Sequence, residues 1–340
     1  MAAPPVPTGW LRYADPATEG EVFRLTDPSI ESWMPALPAR AVTRRGNLLL
    51  FARRFESGWQ AWVMDLTKGA ARPLSVTSGM IPRSLSLSSD DRRALFFSNQ
   101  GLEAANVQGT RSQTVYRCRE GWGPASAITP SEDGTALWFV ETDGRRWALQ
   151  RLKAPKWTVE TIVESATAIL APAPNPRRAQ VLYRGENGEL FTANFDGRSA
   201  RAETPPGRVL EAGWSPGGNE IEYLFEPAET GRLVEIRERS LDERADKLIA
   251  KTSQFAGFAR NANATVFVGA SRSKASANVL LLLRKTRREF TLCEHKAQDP
   301  SRVNARFTPD SQKILFQTDR DGAPAIYMVN VERLVEKTET

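Results

Sequence analysis

Seven copies of one phrase, a turn rich in Pro, Ser, Asp, Asn and Gly followed by an apolar run with an aromatic near its centre, predict an all-β chain, a seven-bladed β-propeller. Two observations carry that reading. The aromatic anchors Phe51, Phe96, Trp138, Tyr183, Tyr223, Phe267 and Phe316 recur at spacings of 45, 42, 45, 40, 44 and 49 residues, the period of a propeller blade. The 22 prolines and 23 glycines are scattered in short clusters along 340 residues, which suits many tight turns and few helices. Residues 1–340 are read as a single propeller domain, because repeat architectures lengthen by adding units and need no second core.

Each copy has the same internal order. A strand carrying small residues in alternation, as in Arg83-Ser84-Leu85-Ser86-Leu87 or Asn304-Ala305-Arg306-Phe307, leads into the turn. The anchored strand follows, then a polar turn and one or two alternating strands, so four strands per blade is the natural count. Innermost strands converge on an axis and have little room, hence the small residues; anchored strands are apolar on both faces because each lies between two neighbouring blades. The anchors are therefore core. After residues 325–331 the last copy ends in a short charged stretch, whereas residues 21–26 read like an outermost strand. The N-terminal strand is expected to complete the last blade, which would otherwise expose an unpaired edge.

Hydrophobic residues make 41% and charged residues 25%, enough apolar side chain for an extensive core. No apolar run reaches the roughly 18 residues of a membrane span, and the N-terminus has no secretory pattern, so a cytoplasmic protein with no membrane partner is expected. Cys118 and Cys293 fall in different repeats without metal-ligand spacing and are expected to be buried, unbridged thiols. The net charge of +6 suits acidic partners without selecting one. The basic run Arg284-Lys285-Thr286-Arg287-Arg288 falls at a hairpin tip and reads as a solvated turn, and no nucleic-acid partner is expected.

Two segments carry a family resemblance. Tyr13-Ala14-Asp15-Pro16-Ala17-Thr18-Glu19-Gly20-Glu21-Val22-Phe23-Arg24-Leu25-Thr26 resembles the N-terminal signature of the oligogalacturonate lyases, and Phe307-Thr308-Pro309-Asp310 through Tyr327 resembles their last blade. The second phrase is shared with the wider group of TolB-like and WD40-like propellers. The resemblance implies a cytoplasmic propeller of pectin degradation that cleaves short unsaturated fragments by β-elimination, with a divalent metal such as manganese held by three histidines and a glutamine. That chemistry needs a positive centre to stabilise an enolate and a base to take the proton. This chain has one histidine. Where the family has Gln-x-x-His-x-His, it has Asp299, Arg302 and Asn304. The third family histidine falls near Gly257, with Gln254 the nearest polar alternative, and a family arginine proposed as the base falls near Glu189. Oxygens of Asp299 and Asn304 remain open to a metal, but imidazole ligation of the family kind is excluded by counting. The expectation is that no cofactor is used and that any enzymatic activity is that of a polysaccharide lyase with a rebuilt, non-histidine site.

Propeller ligands usually meet the loops at the mouth where inner strands begin, which selects Arg83, Arg208, Arg302 and Asn304 as ligand-binding candidates. Arginines there suit the carboxylates of an acidic sugar. Trp122, between Gly121 and Gly123, suits stacking on a sugar face. His295 stands away from the matched motif and reads as structural. There is no G-x-S-x-G, G-x-x-x-x-G-K-[ST] or H-E-x-x-H pattern, and no catalytic residue is identified. The function expected is binding of acidic (uronate) oligosaccharides or another anionic small ligand at one mouth of the channel. The alternative is a protein-interaction scaffold of the TolB-like type, with a protein as partner.

Overall fold

A computed structural model describes residues 9–74, 79–109, 111–202, 204–252, 255–332 and 334. Seven antiparallel sheets carry the seven predicted repeats, the blades of a β-propeller. Every anchor lies in a strand and is buried, Tyr183 being the most accessible at 5%. The residues cluster into two compact units, one of residues 1–34, 41–73 and 253–340, the other of residues 35–40 and 74–252.

The first unit holds three sheets. Phe255–Arg260, Val266–Ser271, Asn278–Leu283 and Arg288–Glu294 form one; Ser32–Trp33, Leu48–Phe55, Gly58–Asp65 and Ala71–Pro73 form the next. The third has five strands, in the order Leu11–Ala14, Glu21–Arg24, Ala325–Asn330, Lys313–Thr318 and Arg306–Phe307. Val22 pairs with Val329, Phe23 with Met328 and Arg24 with Tyr327, so the N-terminal strand closes the last blade as the sequence implies. Leu11–Ala14 adds a fifth strand that the count of four leaves out, turning the closing strand into a hairpin.

Along Lys313–Thr318, Ile314 and Phe316 enter a cluster with Val268, Leu281 and Tyr327, while Leu315 enters another with Leu49, Phe51 and Ile326. A strand with both faces packed can be apolar at successive positions, and burying each such side chain contributes about 1.5–3 kcal/mol.

The N-terminal signature does structural work here. The Asp15 carboxylate, 1% exposed, accepts from the backbone N–H groups of Ala17 and Thr18 through Oδ1 and from that of Glu294 through Oδ2. The Thr18 hydroxyl donates to the carbonyl of Leu292 at 2.8 Å. Both partners lie in Arg288–Glu294, so the closing hairpin is latched to the adjacent sheet as well as paired with the last blade.

The second unit holds four sheets with the same meander, and in the sheet anchored by Trp138 the inner edge is broken into Gly123–Pro124 and Thr129–Pro130, both paired with Ala136–Thr142. Its cores again join neighbouring sheets: Ala173 and Leu182 pack with Val209, Tyr223 and Phe225. Both cysteines are free; Cys293 is buried as expected, but Cys118 is half-buried, because it follows the last strand of its sheet rather than lying in one. No helix among the described residues is long and apolar enough to cross a membrane.

Candidate functional site

In the first unit a cleft of about 120 Å³ is lined by Trp33, Gln298, Asp299, Arg302, Gln317 and Asp319, with Ala297, Thr318 and Pro324. It forms where the loop before an inner strand meets the turn between the second and third strands of the same sheet. Gln317 organises it. This residue is the polar exception in an apolar anchored strand, and at 4% exposure its amide must be satisfied. Its Oε1 accepts from Met34 N and its Nε2 donates to the carbonyl of Arg302, each at 2.8 Å. One side chain thus fixes both walls, the segment carrying Trp33 and the loop carrying Arg302.

The Trp33 ring is set by its Nε1, which donates to Glu31 Oε1 at 2.7 Å, and the other oxygen of Glu31 accepts from Arg54. The guanidinium of Arg302 lies over this ring, 5.9 Å from its centroid. Arg302 pairs with Asp299 at 3.3 Å, but their side chains are 59% and 52% exposed, so the pair is solvent-screened and easily exchanged for another carboxylate. Asp299 itself caps the turn Pro300–Arg302, accepting from Ser301 N and Ser301 Oγ. Asp319 Oδ1 accepts from Gln298 N. The cleft therefore offers one exchangeable cation, one aromatic plate and carboxylate acceptors for hydroxyls.

His295 supports the wall from behind. It is fully buried; Nδ1 accepts from Ala297 N at 3.0 Å, which leaves Nε2 to donate to the carbonyl of Ser271 at 3.1 Å. Burial, the largest influence, holds its pKa below the ordinary value, with Arg320 adding to the effect and the Ser271 bond and Asp319 opposing it. Its own carbonyl accepts from the Thr318 hydroxyl.

The other candidates are placed differently. Asn304 does not line the cleft; it holds a left-handed φ of 50° and its Oδ1 accepts from Arg306. Arg83, Trp122 and Arg208 belong to the second unit. Arg83 is exposed on the turn Pro82–Ser84 ahead of an inner strand. Trp122 is half-buried with the Arg119 guanidinium 3.7 Å from its ring centroid and that of Arg146 at 5.3 Å, so the ring is already engaged by cations. Arg208 is exposed and its Nε donates to Glu226. Glu189, near the family arginine position, accepts from its own turn at Asn187 N. Gln254 lies outside the described residues. Sequence reasoning missed Trp33 and Gln317, although a glutamine amid Ile314-Leu315-Phe316 was the visible signal for the latter.

Seven antiparallel sheets, five of four strands and two of five, make a seven-bladed β-propeller, with a cleft beside an inner strand of the first unit. No family model matches the chain. The chain is similar to two curated proteins: it is 21% identical to the oligogalacturonide lyase of Pectobacterium atrosepticum, over 96% of this chain and 97% of that one, and 21% identical to the oligogalacturonate lyase of Dickeya dadantii, over 94% and 95%. A solved oligogalacturonate lyase in complex with manganese superposes with a TM-score of 0.88 at 19% identity, covering 96% of each chain, which shows the seven-bladed fold.

That manganese complex overturns the expectation of a chain without a cofactor, which rested on counting imidazoles alone. That solved lyase of the same fold holds manganese, and manganese also takes carboxylate and carbonyl oxygens, so a low histidine count does not by itself exclude a metal. The residues present do not fit a histidine cage: His295 is spent through both nitrogens, Asn304 is taken by Arg306, and among the described residues no group of three or more His, Cys, Asp or Glu stands together.

Proposed function

We propose that this chain binds acidic sugars of the uronate class in the cleft of the first unit, as an oligogalacturonate lyase-like protein of the cytoplasm. The observation that carries the reading is Arg302, an exposed guanidinium set over the plate of Trp33 and, among the described residues, ion-paired with Asp299 through a screened contact. A uronate ring laid on Trp33 brings its carboxylate to the planar fork of Arg302, while Asp319 and Asp299 accept from ring hydroxyls. The lyase names of the relatives support the same substrate class, and free Cys118 and Cys293 accord with a reducing compartment. Arg302 also supplies permanent positive charge beside that carboxylate, which favours loss of the neighbouring proton.

Calorimetry with oligogalacturonides at low salt tests the binding. Arg302→Ala weakens affinity by roughly tenfold to a hundredfold, the worth of one lost charge-assisted contact, and Trp33→Ala weakens it by a similar factor. Unchanged affinity in both variants would sink the reading. The accompanying assay follows the ultraviolet absorbance of an unsaturated product with and without manganese; elimination that survives intact in Arg302→Ala counts against the role given to this residue.

A further inference from the structure

Arg184 is the penultimate residue of the strand Gln180–Gly185 in the second unit, and the turn that follows folds back beside it. Its Nε has no exposed surface and no hydrogen-bond partner. Its Nη1 reaches the carbonyl of Val209 at 3.4 Å, longer than a good N–H···O bond. Among the described residues it makes no ion pair; Glu211 acts on it from further off, while burial, the larger influence, pulls the guanidinium below its ordinary value. Other arginines with a sequestered Nε are compensated. Arg119 has Glu141 and Glu164, Arg151 has Glu160, Arg53 lies over Trp62 and Phe55, and Arg306 bonds Asn304. Arg184 is half-buried, and a guanidinium with a sequestered Nε and only a distant carboxylate, Glu211, contributes little to the stability of the fold that carries it.

We infer that Arg184 is the receptor for a ligand carboxylate, in a second anion site completed by Arg208. Val209 N donates to the carbonyl of Gly188 at 2.9 Å, and Gly188, at φ 83°, sits so close that a Cβ there would lie 2.8 Å from the Cβ of Arg208. The turn is thus pressed onto Arg208 and Val209, and the two arginines share one locality at the end where the inner strand Gly207–Trp214 begins. Arg184, half-buried with its Nε out of solvent, is the inner partner for a carboxylate, and Arg208, exposed and tied to Glu226, is the exchangeable rim. The ligand class is a small carboxylate anion. The inference stands on residues separate from the cleft of the first unit.

The test uses the whole chain, with galacturonate as probe and galactose as neutral control, in thermal unfolding and calorimetry. Arg184→Met unfolds close to or above the wild-type Tm, since an apolar chain of similar length replaces a charge with no ion-pair partner among the described residues, and it weakens galacturonate binding by roughly tenfold or more. Arg184→Lys keeps the charge but not the fork and retains part of the affinity. A large drop in Tm or failure to fold in Arg184→Met shows a structural arginine and overturns the inference. So does galacturonate binding that is absent in the wild type or unaltered in Arg184→Met. Arg302→Ala run alongside separates the two sites: a signal lost there but kept in Arg184→Met overturns this inference alone, and the reverse pattern overturns only the cleft.

Discussion

Replacing Asp15 with alanine removes the carboxylate that latches the closing hairpin to the neighbouring sheet. Three backbone N–H groups lose their acceptor: Ala17 and Thr18 at 3.1 and 3.2 Å within the turn, and Glu294 at 2.9 Å across to the other sheet. Hydrogen bonds to an ionised acceptor contribute about 1.5–3 kcal/mol each, but the turn amides regain water once the side chain is cut back. The expected net loss is therefore about 2–4 kcal/mol, set mainly by the bond to Glu294. Asp15→Asn falls between, at about 1–2 kcal/mol, because its amide still accepts at one atom while its NH2 opposes a donor at the other. Urea unfolding gives the magnitude. Trp10, whose ring packs edge-on against Phe23 at 6.2 Å, reports the hairpin by fluorescence, and limited proteolysis shows whether residues 9–24 have come loose. A stability change in Asp15→Ala within about 0.5 kcal/mol, as for an ordinary surface site, would refute the latch.

Protonation of His295 should destabilise the fold. Its folded pKa lies below the unfolded value of about 6.5, so its contribution is whole above that pH and declines as pH falls through the folded value. Denaturation midpoints measured from pH 7.5 downward should show this slope in the wild type and a weaker one in His295→Asn; identical slopes would refute the assignment. Deleting residues 1–26 bares the strand Ala325–Asn330, and light scattering should then show association of the shortened chain through that edge. A monomer with wild-type stability would count against the closing role.

The fold was legible because its determinants are local and repeated. Each anchor carries its own turn signal and apolar run, and residues 21–26 resemble the outermost strand of the first copy. Leu11–Ala14 was not legible: three of its four residues are exposed, so Leu-Arg-Tyr-Ala shows no buried face. Of the residues lining the proposed cleft, Asp299 and Arg302 stand in the matched motif, and the others carry no such signal. Trp33 sits on a two-residue strand too short to show a period, and it acquires a role only because Gln317, far along the chain, joins its segment to the Arg302 loop. Arg184 reads in sequence as the polar exit of a core strand; what makes it unusual is the turn pressing onto Arg208 and Val209, a packing event that no local pattern encodes.

The closing hairpin also fixes the order in which this protein can finish folding. Thr26 Oγ1 accepts from Ile326 N across 300 positions of sequence. On a ribosome, the strand Glu21–Arg24 emerges long before its partner Ala325–Asn330 exists, and it must stay unpaired while all the intervening sheets are made. Bringing ends this far apart together costs about 5 kcal/mol in chain entropy, a cost recovered only when the ladder, the Asp15 latch and the flanking cores form together. Closure is therefore the last and least local step of folding, and until it happens the waiting strand is the part of the nascent chain most open to pairing with a neighbour.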